Sequence, residues 1–343
     1  MMDFLKTDIN NIVNGNGIDF SYLKNKKVLI TGATGLVGFY LTQCVKHLQN
    51  ELNIDVCLSY RNSIPDYLKE YYDFPYLEIK EDITDIELKS DYFDVIIHSS
   101  GYAQPIKFLN DGLTTIKINT TATINLLNSL KKDGKFLFVS TSEIYNGNDN
   151  FNITEEEIGN TTPSHNRACY IESKRCGETI CNVFKSNGYN IKIARLSLAY
   201  GPFTKLGDLR VLNSIIDKGL NNNNITLLDD GSAIRTYCYI TDVVEMFWNI
   251  LLHGKETVYN VSGFSSSSIK ELADKVGKRL DKEVVTSSSS SLAGSPKIVN
   301  ISSERYIKEF NKNKFVDMET GLDNTIEWMK NINQYKSYDQ ISK

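Results

Sequence analysis

The sequence predicts an α/β fold, a doubly wound parallel sheet followed by a smaller C-terminal region. Three observations lead there. Short apolar runs alternate with helical patterns, which is how a parallel sheet covered on both faces reads in a sequence. The first run, VLIT at 28–31, passes directly into a glycine-rich turn and then a helical pattern. The chain has 343 residues, of which 41% are hydrophobic and 23% charged, ordinary globular values at a length that suits about two domains of about 150 residues.

Taken in order, residues 1–25 form an N-terminal extension with no assignable chemistry. Strands are expected at VLIT (28–31), VCLSY (56–60), YLEI (76–79), VIIHS (95–99), FLFVS (136–140) and IKIARL (191–196). A helix is expected over 113–130, its apolar side carrying Ile116, Ile118, Thr121, Ile124, Leu127 and Leu130, and another over 169–186. After Gly201-Pro202 the pattern changes to a helix at 209–219, an Asn run at 221–224, a short strand at 225–228, a further element over 236–252 and the strand VYNVSG at 258–263. Serine clusters at 265–268 and 287–291 read as exposed loops. The expected division is a dinucleotide-binding domain over 26–202, joined by 236–262, and a smaller substrate-binding region from 203–235 and 263–330. Residues 331–343 remain as a tail.

Composition narrows the function classes. With 38 Lys and Arg against 42 Asp and Glu, the net charge of −4 excludes a nucleic-acid binder held by bulk charge, so an anionic ligand must be gripped locally. No run approaches the ~18 apolar residues of a membrane span, and MMDFLKTDINNIVNG lacks the apolar centre of a signal peptide, so a cytoplasmic protein without a membrane partner is expected. Cys44, Cys57, Cys169, Cys176, Cys181 and Cys238 form no CxxC pair, and His47, His98, His165 and His253 form no HExxH. Buried thiols in a reducing compartment are expected, with neither a metal site nor a disulfide framework.

The turn after the first strand reads Gly32-Ala33-Thr34-Gly35-Leu36-Val37-Gly38. Glycines there let backbone N–H groups and a helix N-terminus approach a pyrophosphate. The acid that would hold the ribose hydroxyls of NAD at the end of the second strand is replaced by Ser59-Tyr60-Arg61-Asn62. Arg61 suits a 2′-phosphate, adenine stacking or solvent equally. Asp82-Ile83 is placed either to reach the adenine or, through Asp82, to cap a helix over 84–89.

Tyr170 and Lys174 are four residues apart and share one helical face, which Gly177 and Cys181 continue as small residues that another element can approach. An ammonium beside a phenol favours the phenolate, making Tyr170 a base near neutral pH. After FLFVS, Thr141-Ser142-Glu143 places hydroxyls and a carboxylate at the sheet edge where ligands of open α/β sheets bind. Glu143 reads either as an acid–base group or as an acidic loop residue facing water.

The ordered set TGATGLVG, HSSGYAQP, Asn119, STSEIY, Tyr170-Ile171-Glu172-Ser173-Lys174 and Tyr200-Gly201-Pro202 resembles the extended short-chain dehydrogenase/reductases acting on nucleotide sugars, over residues 25–330. Within them RACYIESKRCGET is most similar to the RACYDEGKR segment of UDP-glucuronate decarboxylases, whose Thr-Ser-Glu triplet this chain shares. GDP-mannose 4,6-dehydratases have the triplet too; dTDP-glucose 4,6-dehydratases carry Asp at the place of Ser142.

The resemblance implies a Rossmann-type sheet and bound NAD, with NADP left open by Arg61. It implies cofactor contacts from Ser99, Ser100, Gly101, Asn119, Tyr170 and Lys174 beside the glycine loop, and catalysis by Thr141, Glu143, Tyr170 and Lys174. Ser142, Arg210, Arg235 and Lys297 would hold the nucleotide sugar, and two copies would form a homodimer. Two positions depart from the pattern: Leu198 stands where the family has Asn, and Lys297 where the decarboxylases have Arg. The implied activity is oxidation of carbon 4 of a nucleotide-linked hexose, followed by decarboxylation, dehydration or epimerisation. The contrasting class is a non-catalytic dinucleotide-binding scaffold.

Overall fold

Seven parallel strands form the central sheet of the computed structural model, which describes residues 4–15, 17–287 and 296–335. They are β1 (Lys27–Thr31), β2 (Asp55–Ser59), β3 (Leu77–Ile79), β4 (Phe93–His98), β5 (Leu130–Thr141) and β6 (Asn190–Leu196), and then, beyond β7 (Leu198–Tyr200), β8 (Asn224–Thr226) and β9 (Ile234–Tyr239), the edge strand β10 (Val258–Val261). The order is β10-β6-β5-β4-β1-β2-β3. The chain runs outward from β1 through β3, then returns to β4 on the other side of β1. This reversal opens a crevice beyond the carboxyl ends of β1 and β4, where open α/β sheets bind ligands.

The unbroken apolar runs follow from burial on both faces. In β1, Val28 and Ile30 belong to one core and Leu29 to the other. The period of two repeats in β5, where Leu137 and Val139 face the first core and Phe136 and Phe138 the second. Helix α1 (Phe4–Asn10) buries Leu5 and Ile9 in the first core, beside α2 (Leu36–Leu52). The Tyr40 hydroxyl of α2 donates to Asp8 at 3.0 Å, and burial lifts that carboxyl to about 6 despite the bond. The N-terminal extension is thus part of the main core.

The helix expected over 113–130 is two helices, reached after α3 (Pro105–Asn110). They are α4 (Gly112–Asn119) and α5 (Thr121–Ser129), while Leu130 already belongs to β5. Between them Thr120 turns its hydroxyl back onto the Ile116 carbonyl at 2.7 Å, a local bond that bends helices. Ile116 and Ile124 are 39% and 40% exposed rather than core residues. The second expected helix is α6 (Ala168–Ser186). Its Gly177 is needed: a Cβ there would lie 2.5 Å from the Phe138 ring and 2.7 Å from the Asn119 carbonyl.

Two further expectations change. Residues 84–89 form no helix, because Asp82 spends its carboxylate on a tight turn, accepting from the Thr84 backbone at 3.0 Å and hydroxyl at 2.9 Å. The serine cluster at 265–268 is a strand antiparallel to β9, with Ser267 opposite Arg235, and Ser268 then caps the helix Ile269–Leu280 in a reciprocal box with Glu271. A backbone ladder needs no apolar side chain, so composition hid it. Residues 288–291 of the second cluster, and 1–3, 16, 292–295 and 336–343, lie outside the described residues. Cys44, Cys57, Cys181 and Cys238 are buried, but Cys169 is half-buried and Cys176 exposed. No helix among the described residues is long and apolar enough to cross a membrane.

Candidate functional site

The glycine loop is shaped by close backbone approach. Gly32 has φ +67°, and a Cβ on Gly38 would sit 2.2 Å from the Gly32 carbonyl oxygen, so α2 starts pressed against the end of β1. The Gly35 N-cap has no side-chain cap, and the first helical bond runs from Phe39 to Gly35 at 2.7 Å. The N–H groups of Leu36, Val37 and Gly38 therefore have no acceptor within the helix. Ser99 donates to the Thr31 carbonyl at 2.5 Å, and the Ser100 N–H to the Thr31 hydroxyl at 3.1 Å, binding the end of β4 to this loop. Gly101 lies beside α6, its Cβ position 3.9 Å from Lys174 Nζ. A narrow backbone cradle with an uncapped helix N-terminus fits a dinucleotide pyrophosphate.

The outlying residues are placed differently. Arg61 is exposed, its guanidinium 5.5 Å from the Tyr102 ring centroid. Asp82 is exposed while Ile83 is buried. Asn119 is buried, donates to Ser173 at 2.9 Å, and leaves its Oδ1 without a partner among the described residues. Such an orphaned acceptor beside α6 is compatible with a ligand donor.

Tyr170 opens α6, buried and stacked on Phe108 of α3, with ring centroids 4.7 Å apart and planes 5° from parallel. Burial pushes its phenol up to about 12, although a hydrogen bond with Thr141 works against it. Lys174 donates to the Val139 carbonyl at 2.7 Å and lies 4.7 Å from the Phe138 ring centroid; burial pulls it down to about 8. The expected pairing of this ammonium with the Tyr170 phenol, and the lowering it would cause, is absent. Both side chains reach the end of β5 from one helical face, but Lys174 takes the Val139 carbonyl and Tyr170 the Thr141 hydroxyl.

Glu143 is half-buried and does not stand free. Arg167 grips both its oxygens, with Nε at 3.0 Å and Nη2 at 2.5 Å, while stacking 5.1 Å from the Phe108 ring centroid. Ser142 is buried beside it. Arg210 forks onto Asp208 at 2.8 to 3.1 Å. Burial would raise the Asp208 carboxyl, yet Arg210 brings it below its ordinary value. Arg235 is buried, which lowers its pKa, and donates to the carbonyls of Ile234 at 2.8 Å and Lys297 at 3.4 Å. Lys297 thus meets Arg235 through its backbone, and its side chain is exposed. Leu198 is half-buried in β7, opposite Tyr237.

Beneath the site lies a buried polar network. Arg195 of β6 pairs with Glu178 of α6 at 2.8 Å and donates to the Tyr145 hydroxyl at 2.8 Å; Ser140 donates to Glu178 at 2.5 Å. It ties β5, β6 and α6 together one turn behind Lys174. Sequence reasoning passed over Arg167, Phe108, Lys205 and Glu178. Arg167 and Glu178 stood inside the quoted RACYIESKRCGET segment, whereas Phe108 and Lys205 carry no local signal.

Residues 28–262 match the NAD dependent epimerase/dehydratase family. This chain belongs to that family. It is accordingly an NAD-dependent enzyme of the nucleotide-sugar epimerase, dehydratase and decarboxylase class, not a non-catalytic scaffold, and its cofactor is NAD. It is 31% identical over 270 residues to UDP-glucuronic acid decarboxylase 6 of Arabidopsis thaliana, covering 77% of each chain. To UDP-glucuronic acid decarboxylase 1 of Xenopus tropicalis it is 29% identical over 268 residues, covering 76% of this chain and 61% of that one. Among solved structures, UDP-glucuronic acid 4-epimerase of Bacillus cereus, in complex with UDP-glucuronic acid and NAD, superposes with a TM-score of 0.76 at 22% identity, covering 89% of this chain and 99% of that chain. The dTDP-glucose 4,6-dehydratase of Bacillus anthracis gives 0.72 at 20%, covering 90% and 98%. The structural likeness concerns the fold.

Proposed function

We propose that the enzyme decarboxylates UDP-glucuronate to UDP-xylose. The observation that carries this reading is the Glu143–Arg167 clamp. Loss of water from a 4-keto hexose needs a free base to take the hydrogen at carbon 5, and Glu143 has both oxygens engaged by a guanidinium. Decarboxylation needs no such base. Once carbon 4 is a ketone, the bond from carbon 5 to carbon 6 breaks, carbon dioxide leaves, and its electron pair delocalises onto the ketone oxygen. Water then supplies the proton that carbon 5 takes up, so one proton is consumed for each carbon dioxide released. The similarity to UDP-glucuronic acid decarboxylases of Arabidopsis and Xenopus points the same way.

Bound NAD supplies the acceptor, and later the donor, of hydride at carbon 4. Tyr170 takes the hydroxyl proton, Thr141 shares a hydrogen bond with that hydroxyl and with Tyr170, and Lys174 contacts the cofactor. Ser142 orients the sugar. Arg210 and Arg235 meet the diphosphate, with Lys297 at the rim. Residues 26–202 with 236–262 carry the dinucleotide, and 203–235 with 263–330 the nucleotide sugar. In the same reading the enzyme works in the cytoplasm as a homodimer, since Leu113, Ile116, Ile124 and Val183 leave exposed apolar side chains on α4, α5 and α6 for a second copy.

Incubation with UDP-glucuronate, GDP-mannose, dTDP-glucose and CDP-glucose, with products identified by mass, tests the reading. A UDP-pentose with carbon dioxide is expected from UDP-glucuronate, and Tyr170→Phe should bind NAD normally yet form no product. Loss of water from any of the sugars, or an isomer of unchanged mass, with UDP-glucuronate not decarboxylated, overturns it.

A further inference from the structure

A lysine outside every assigned position lies on the glycine loop. After Gly201-Pro202 the chain passes the start of α2 as a strap, anchored at several points. Phe203, at φ +65°, stacks on Phe39 in the first turns of α2 with centroids 4.6 Å apart; Trp328 Nε1 donates to the Thr204 carbonyl at 3.0 Å; the Leu206 N–H donates to the Tyr67 hydroxyl at 3.1 Å. Between these anchors Lys205 is half-buried, its Nζ 2.9 Å from the Thr34 hydroxyl. Thr34 itself is 5% exposed.

No carboxylate among the described residues forms an ion pair with Lys205. Burial lowers its pKa to about 8, and the charge next felt there is another cation, Lys107 of α3. Placing an ammonium in such a position costs hydration that the Thr34 hydroxyl repays only in part and that no carboxylate among the described residues offsets. An anion arriving at the loop would offset that cost, and the loop's backbone cradle is built for a pyrophosphate.

We propose that Lys205 is the cation that meets the pyrophosphate of NAD, clamping the dinucleotide between the strap and the start of α2. The inference concerns cofactor binding, so it stands whichever sugar reaction the enzyme performs. It also gives this ammonium the anionic partner that no carboxylate among the described residues supplies.

The test compares the wild-type chain, stripped of nucleotide, with Lys205→Met and Lys205→Arg. Titration calorimetry measures binding of NAD and, separately, of UDP; thermal unfolding measures the ligand-free proteins. Lys205→Met is expected to weaken NAD about tenfold to a hundredfold, leave UDP within about threefold, and melt at or above the wild-type temperature without ligand, because an unpaired charge has been removed. Lys205→Arg should keep NAD within about threefold to fivefold. Wild-type NAD affinity in Lys205→Met overturns the proposal. A loss of UDP affinity equal to or larger than that of NAD also overturns it, assigning Lys205 to the substrate diphosphate. A ligand-free Lys205→Met that melts well below wild type shows a structural staple instead.

Discussion

Arg167 and Glu143 form a two-pronged ion pair, Nε to Oε2 at 3.0 Å and Nη2 to Oε1 at 2.5 Å, joining the residue that precedes α6 to the turn that ends β5. Tyr170, three residues after Arg167, feels both charges. The pair therefore sits at the point where α6, β5 and α3 converge on the phenol, and it gives the cluster a fixed carboxylate and a fixed cation rather than a mobile base.

If the two act as a unit, their losses are not additive. Because the pair holds the elements around Tyr170 in place, Glu143→Gln and Arg167→Met are each expected to slow product formation by about 100-fold, and the double variant to be no worse than the poorer single one. Single-turnover rates across this cycle check it. A double variant slower by the product of the two effects would mean that each residue acts alone.

Lys174 sets a pH dependence of stability. Its pKa is lowered to about 8 in the folded chain by burial, against 10.5 when free. Between those values the unfolded state binds more protons, so this residue's contribution makes stability rise with pH. Below about 8 both states are protonated and the folded chain bears the full cost of burial. Lys174→Met should therefore gain most, relative to wild type, below that value, and the gain should shrink toward pH 10.5. Urea unfolding of both proteins at stepped pH measures the difference.

At Gly38 an added methyl would meet the Gly32 carbonyl oxygen at 2.2 Å, a backbone atom that has no rotamer by which to withdraw. Gly38→Ala is expected to cost ~1–3 kcal/mol of stability and to reduce NAD affinity more than UDP affinity, because the loop that cradles the dinucleotide must shift. Chemical unfolding together with nucleotide titration reads both effects.

What the sequence determined by itself is whatever local spacing controls. Continuous apolar runs announced strands buried on both faces, Gly32, Gly35 and Gly38 announced a tight strand-to-helix turn, and four-residue spacing placed Tyr170 and Lys174 on one face of α6. Tertiary structure decided the partners. Lys174 turned to Val139 rather than to Tyr170, Arg167 took Glu143, and Lys205 came to rest on Thr34 across 171 positions of chain. The serines at 265–268 became a strand only because the edge of β9 was available to them. Periodicity and spacing are properties of one element and survive in the sequence, whereas the direction of a long charged side chain is set by competition among acceptors that only the assembled elements bring within reach.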